Sequence, residues 1–268
     1  MINLLKADFF RVLRTKIVYI SLMIAVVLPL FIVLVTGLTA LATHSLFPEE
    51  PMTGVGDSIM GQTFSPIMSF SYIFAVFPVI VVMMDFGNGT LRNKVIHGYT
   101  RHQIFAAHFI VSLVHIIAIT LIFTVTNVVG ALILGLSPIP SDLVPAYVLY
   151  YVIGFLITLL IASLGCCMAL SLGNAGAIVI TIIGTLVLTY AGLILDLIFR
   201  LNEVTNMEHL LCFFPCYFTE MLSEYLLYPS VIPLIEPMYI VEAVAGILLL
   251  SGGFYALGTF IFSKRDFK

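Results

Sequence analysis

A chain of 268 residues that is 61% hydrophobic and only 9% charged, with mean hydropathy +1.17, excludes an ordinary soluble domain, in which about a quarter of the residues carry charge. A formal net charge of −3 carries no signal for a nucleic-acid partner, and four cysteines are too few for a disulfide scaffold. The class is an all-α integral membrane protein; with 12% aromatic residues and no Trp, interface anchoring falls to Tyr and Phe.

Residues 1–16 open the chain. Leu5, Phe9, Val12 and Leu13 follow helical spacing, with Asn3, Arg11 and Arg14 on the opposite side. This predicts an amphipathic interfacial helix with Lys6, Arg11, Arg14 and Lys16 available to lipid headgroups. The uncharged stretch Ile17–Ala42 follows. It ends in Ala40-Leu41-Ala42, a small-x-small form, yet it far exceeds the roughly 7–15 residues of a signal-peptide core. It is read as an uncleaved first span over about 17–41, bent by Pro29. A polar loop, 43–64, carries Glu49, Glu50 and Asp57 and no Lys or Arg; span two covers about 66–84 and contains Pro78.

The stretch 85–102 is polar, basic and punctuated by glycine. Gly89 and Gly98 bracket Thr90 to His97, which predicts a short surface helix with Thr90 as N-cap and Gly98 just past its end. Leu91 and Val95 share one side of it, while Arg92, Asn93 and His97 point elsewhere. Thr100-Arg101-His102-Gln103 has the capping-box form, so the next helix should start there. Span three runs over about 103–134. From Leu143 to Leu195 there is no charged residue, too long for one crossing of about 20 residues. A break at Gly173-Asn174-Ala175-Gly176 gives spans at about 146–171 and 177–195. A long loop, 196–236, precedes span six at about 237–262 and a basic tail, Ser263–Lys268.

Six spans place Lys6, Arg11, Arg14, Lys16, Arg92, Lys94, Arg101, Lys264, Arg265 and Lys268 on one side, ten of the eleven basic residues, leaving Arg200 on the other. The positive-inside bias makes that side cytoplasmic, with both termini there. Glu49, Glu50, Asp57, Asp142, Glu203, Glu208, Glu220 and Glu224 fall in the outer loops.

Catalytic motifs are absent. There is no G-x-x-x-x-G-K-[ST] loop for ATP, no H-E-x-x-H pair for zinc and no G-x-S-x-G nucleophile. His108 and His115, seven apart in span three, read as hydrogen-bonded packing residues rather than metal ligands, since no third ligand accompanies them. Cys166-Cys167 in an apolar run read as free thiols; for Cys212 and Cys216, which flank Pro215, spacing leaves oxidation open. Glu242 is charged and lies about a turn inside span six: a substrate or ion site, or a capped helix start in a wet vestibule. The 196–236 loop mixes Phe213, Phe214, Phe218, Leu222, Leu226 and Leu227 with Pro215, Pro229 and Pro233. It is too apolar for a free linker and reads as short helices dipping into the outer leaflet, an exit gate, or a lipid-facing cap.

The order is an amphipathic helix, six spans, an acid closing span two, then Asn88-Gly89-Thr90-Leu91-Arg92 and Gly98-Tyr99-Thr100-Arg101. With the broken apolar loop before span six and the basic tail, this resembles the permease subunit of ABC transporters of the type-2 export family, which includes multidrug and lantibiotic-immunity permeases. The likeness covers essentially the whole chain as a single permease domain. Family sequences often carry Glu where this chain has Asp85, a change that keeps the charge. The resemblance implies a coupling helix at residues 90–97 that docks on a separate ABC ATPase subunit. ATP and Mg would be bound there, with no cofactor on this chain. ATPase coupling would then fall to Asp85, Gly89, Thr90, Leu91, Arg92, Lys94, Val95, Gly98, Thr100 and Arg101. Leu91 and Val95 would insert into a groove of the ATPase while Arg92 and Lys94 meet its acids; the plainer alternative rests that stripe on the ends of spans two and three. A second permease subunit, identical or related, would complete a path lined by spans one, two and five in the cell membrane. Cargo would be a hydrophobic or amphipathic molecule: a drug, a lipid-like compound or an antimicrobial peptide. Two other classes stand beside this one. A stand-alone secondary transporter would place ionisable residues near the midplane and show inverted repeats, and an intramembrane enzyme would need catalytic groups within spans.

Overall fold

The computed structural model describes residues 1–46, 71–133, 143–202, 207–227 and 236–265. Among these residues the regular structure is entirely helical, in ten helices: α1 (Ile2–Leu13), α2 (Lys16–Leu46), α3 (Ser71–Gly87), α4 (Thr90–Ile96), α5 (Arg101–Ile133), α6 (Val144–Leu172), α7 (Gly176–Leu201), α8 (Glu208–Cys212), α9 (Pro215–Leu227) and α10 (Pro237–Lys264). The polar stretch past Leu46 with Glu49, Glu50 and Asp57, the start of span two at Pro66, and Asp142, Glu203, Pro229, Pro233, Asp266 and Lys268 lie outside the described residues.

Among the described residues five stretches are long and apolar enough to cross a membrane: Lys16–Val35, Arg101–Gly130, Val144–Leu172, Gly176–Leu201 and Pro237–Lys264. A sixth is reached when Ala75–Gly87 is joined to Thr90–Ile96 across a 66° bend. Two helices overrun their expected ends. α2 continues to Leu46, and α7 reaches Leu201, where Arg200 bonds back to Asp196 at 2.9 Å, one turn earlier.

α6 is the central post. It is apolar on every side, as a helix with neighbours all round must be, and buries Tyr150, Ile153, Ile157, Leu160 and Leu164. It packs most extensively on α10, and also on α3, α5, α7 and α9, while α2 lies against α5. α10 approaches closely at Gly258, where a Cβ would stand 2.8 Å from the Phe105 ring and 2.9 Å from the Cys167 Cα.

Two arginines define one end of the bundle. Arg265 donates to the carbonyls of Leu170, Ser171 and Leu172 at 2.9, 3.1 and 3.1 Å, closing the last turn of α6. Arg101 at the start of α5 donates to the Ser263 carbonyl at the end of α10 at 2.5 Å. Helix C-termini expose unpaired carbonyls and the negative end of the helix dipole, so a guanidinium stabilises both. The C-terminal ends of α6 and α10 and the N-terminal end of α5 therefore meet at this basic end.

Candidate functional site at the basic end of the bundle

The geometry begins with the turn that leaves α3. The Asn88 amide donates to the Met84 carbonyl and the Gly89 amide to the Phe86 carbonyl, at 3.0 and 3.2 Å. Gly89 then sits at φ +65°, a conformation in which a side chain is strained. Gly89, rather than Thr90, is the N-cap of α4, and Thr90 is its first helical residue. At the other end the Tyr99 amide donates to Lys94 O and the Gly98 amide to Val95 O, with Gly98 at φ +84°. That is a Schellman ending. Thr100 and Gln103 then bond reciprocally, Thr100 N to Gln103 Oε1 at 3.2 Å and Gln103 N to Thr100 Oγ1 at 3.3 Å, so α5 starts with the expected capping box.

These turns aim charged groups from four helices at one another. Asp85, at the end of α3, receives both guanidinium nitrogens of Arg11 from α1, one of them at 2.6 Å. The Lys94 ammonium of α4 lies 2.7 Å from Asp8 Oδ1 and 3.2 Å from Asp85 Oδ2. His108 Nε2 on α5 lies 3.2 Å from the Lys94 ammonium and 3.3 Å from Asp85 Oδ2. It accepts from the lysine in one tautomer and donates to the carboxylate in the other. Asp8, Asp85, Lys94 and His108 are all buried. Two carboxylates thus meet two cations, which is how ionised groups survive burial. Burial pulls the Arg11 guanidinium down from its ordinary value, and Asp8 beside it pushes it back up.

This placement corrects three expectations. Leu91 is not an exposed docking residue: it is 1% exposed, in a core with Leu4, Val79, Val82, Ile104, Phe105 and Phe262. Lys94 does not face outward; it is held between Asp8 and Asp85. Arg11 is not offered to lipid headgroups but forks onto Asp85. Val95 is half-buried, and α4 presents Arg92, Asn93, Ile96 and His97 to solvent, Ile96 at 69% exposure. A cleft of about 220 Å³ runs between α1 and α4, lined by Asn3, Ala7, Asp8, Asn93, His97 and Tyr99 among others.

Sequence reasoning passed over Asp8 and His108 as members of this cluster. Asp8 stands between Leu4 and Val12, each four residues away, and all three are buried. A lone acid on an apolar stripe demands a cation, and that signal was available. His115 behaves as expected, its Nε2 2.9 Å from Ser21 Oγ.

The opposite end is built differently. His209 of α8 meets Glu242 of α10 at 3.0 Å through its Nδ1, and the Tyr239 hydroxyl donates to Glu208 at 2.9 Å. The backbone at Phe213 sits directly on Gly246, where a Cβ would collide with the Phe213 carbonyl. Phe214 and Tyr217 press on Gly192 of α7, where a Cβ would stand 2.8 and 2.9 Å from their Cβ atoms. Leu211, Cys212, Phe218, Leu222 and Leu226 are buried in the central core, so the described part of the outer loop is a packed helical hairpin. None of Cys166, Cys167, Cys212 and Cys216 is in a disulfide, and burial pushes the Cys212 thiol up to about 12. Among the described residues no group of three or more His, Cys, Asp or Glu could hold a metal ion.

A chain whose described residues form only helices, with five or six candidate membrane spans among them and ionisable clusters at the two ends of the bundle, is a multi-pass membrane protein. It belongs to the ABC-2 transporter family: the profile described as ABC-2 family transporter protein matches residues 4–192. Its family makes it a membrane subunit of a transporter. No curated protein matches the chain.

Proposed function

We propose that this chain is the permease subunit of an ATP-driven exporter. It works with a separate ATPase subunit and a second permease subunit to move a hydrophobic or amphipathic molecule out of the cell, with both its termini in the cytoplasm. The observation that carries the reading is the buried charge cluster. Lys94 ties α4 to α1 through Asp8 and to α3 through Asp85, and His108 adds α5. A push on α4 would therefore move four helices together rather than flex a loop. The outward residues Arg92, Asn93, Ile96 and His97 are the part of α4 left free to meet the ATPase, with the cleft beside α1 receiving a partner side chain. The cargo path is assigned to the faces of α2, α3 and α7. α2 and α7 support this by leaving long apolar surfaces outside the bundle, from Tyr19 to Leu38 and from Val179 to Leu201.

The test separates docking from folding. An Arg92→Glu, Ile96→Asp double variant, co-expressed with the ATPase subunit, should insert and keep its detergent stability while losing co-purification of the ATPase and transport. Leu91→Asp should instead lose detergent stability first, because Leu91 is core. Normal ATPase association by the folded double variant would overturn the docking role of α4.

A further inference from the structure

We propose that the corner between α1 and α2 is a binding site for an anionic diacyl phospholipid, with one acyl chain in a groove against α5 and the phosphate held by Arg14 and Lys16. The groove has a volume of about 100 Å³ and is walled by Phe9 and Leu13 of α1, Val18 and Leu22 of α2, and Val114 and Ala118 of α5. His115, the polar residue of its lining, is occupied with Ser21. The walls are therefore apolar. Leu13 is 58% and Val114 44% exposed, so the groove opens on the outside of the bundle. An apolar groove on the flank of a membrane helix is filled by hydrocarbon, and its size suits a stretch of acyl chain rather than a helix.

The charge at the turn beside the groove selects the headgroup. Arg14 and Lys16, on either side of Thr15 where α1 gives way to α2, are exposed, and no acidic side chain among the described residues pairs with them. Asp8, the acid of α1, is committed to Lys94 and Arg11. The Arg14 guanidinium lies 4.0 Å from the centroid of the exposed Phe10 ring, an amphipathic pairing that suits the boundary between headgroups and chains. Unpaired cations in the turn between Leu13 and Val18, two walls of the groove, match a phosphate beside the end of its acyl chain. A zwitterionic lipid carries its own cation and loses that match. Occupancy would hold the α1–α2 corner against α5, and α1 also carries Asp8 and Arg11 of the charge cluster. The site is thus placed to make that cluster sensitive to the lipid of one leaflet.

Native mass spectrometry of the delipidated full chain, titrated separately with phosphatidylglycerol, phosphatidylcholine and oleate, tests this. Phosphatidylglycerol should be retained with a preference on the order of tenfold over phosphatidylcholine, as two phosphate-facing cations would give, and above oleate. Arg14→Gln with Lys16→Gln, both exposed and compatible with folding, should abolish the preference. Ala118→Leu, which fills the groove and leaves the cations, should lower retention of phosphatidylglycerol. Lys264→Gln, which removes an exposed cation stacked on Phe260 elsewhere on the same end, should change nothing. Equal retention of the two phospholipids, or retention of oleate equal to phosphatidylglycerol, would overturn the proposal. So would an effect of Lys264→Gln as large as that of the double variant, or unchanged binding by Ala118→Leu.

Discussion

The two ends of the bundle hold their charges in opposite ways. At the basic end, Asp8, Arg11, Asp85, Lys94 and His108 come from four helices and all but Arg11 are buried. At the other, His209 keeps 56% of its side chain exposed against a buried Glu242, a pair that joins two helices, α8 and α10. The basic end is locked by electrostatics among buried groups; the far hairpin is held mainly by shape, through Gly246, which lets the Phe213 backbone touch α10, and Gly192, which Phe214 and Tyr217 press against. In a low-dielectric interior a charge without its partner is severely destabilising, whereas a half-solvated pair exchanges easily with water.

The largest effect expected from that contrast is at Asp85. Asp85→Ala leaves Arg11 and Lys94 facing each other with one carboxylate between them, and should cost about 3–5 kcal/mol, read as a fall in thermal midpoint in detergent. A loss no larger than that of an exposed ion pair would mean that the cluster is hydrated and does not lock the helices.

Gly246→Val comes next. The new side chain would drive the Phe213 backbone off α10, an overpacking effect of about 1–3 kcal/mol. Its signature should be local: Cys212, fully buried in the native hairpin, should become reactive to maleimide while the basic end keeps its stability. If Cys212 stays protected, the hairpin is not held by that close approach.

The smallest effect belongs to Glu242→Gln. With His209 largely in water, losing the pair should lower stability by roughly 1 kcal/mol or less, and Cys212 should remain protected. A loss comparable to that of Asp85→Ala would erase the distinction between the two ends.

Much of this molecule was legible in its sequence because membranes impose strong local rules. Runs of apolar residues locate α5, α6 and α10 to within a turn at each end, and Gly173-Asn174-Ala175-Gly176 marks the corner where α6 gives way to α7. Thr100 and Gln103 announce the start of α5, since both partners of a capping box lie within one turn. Gly98 announces the end of α4 for the same reason. Leu91 and Val95 show that α4 has an apolar side, but periodicity does not say what covers it. The cover is the ends of α3 and α5, through Val79, Val82, Ile104 and Phe105, together with Leu4 and Phe262 from opposite ends of the chain.

What the sequence determined by itself, then, is where the chain is helical, where it turns, and which end collects the basic residues. These depend on hydrogen bonds and hydropathy within a few residues. Only the tertiary structure decided that Lys94 and Arg11 face inward, that they are the cations Asp8 meets, and that Ile96 rather than Leu91 is the apolar residue α4 shows to solvent. Arg11 and Asp85 are 74 residues apart and Asp8 and Lys94 are 86 apart. A charged side chain reads as exposed until its partner is known, because the energy that permits its burial lies wholly in that distant partner.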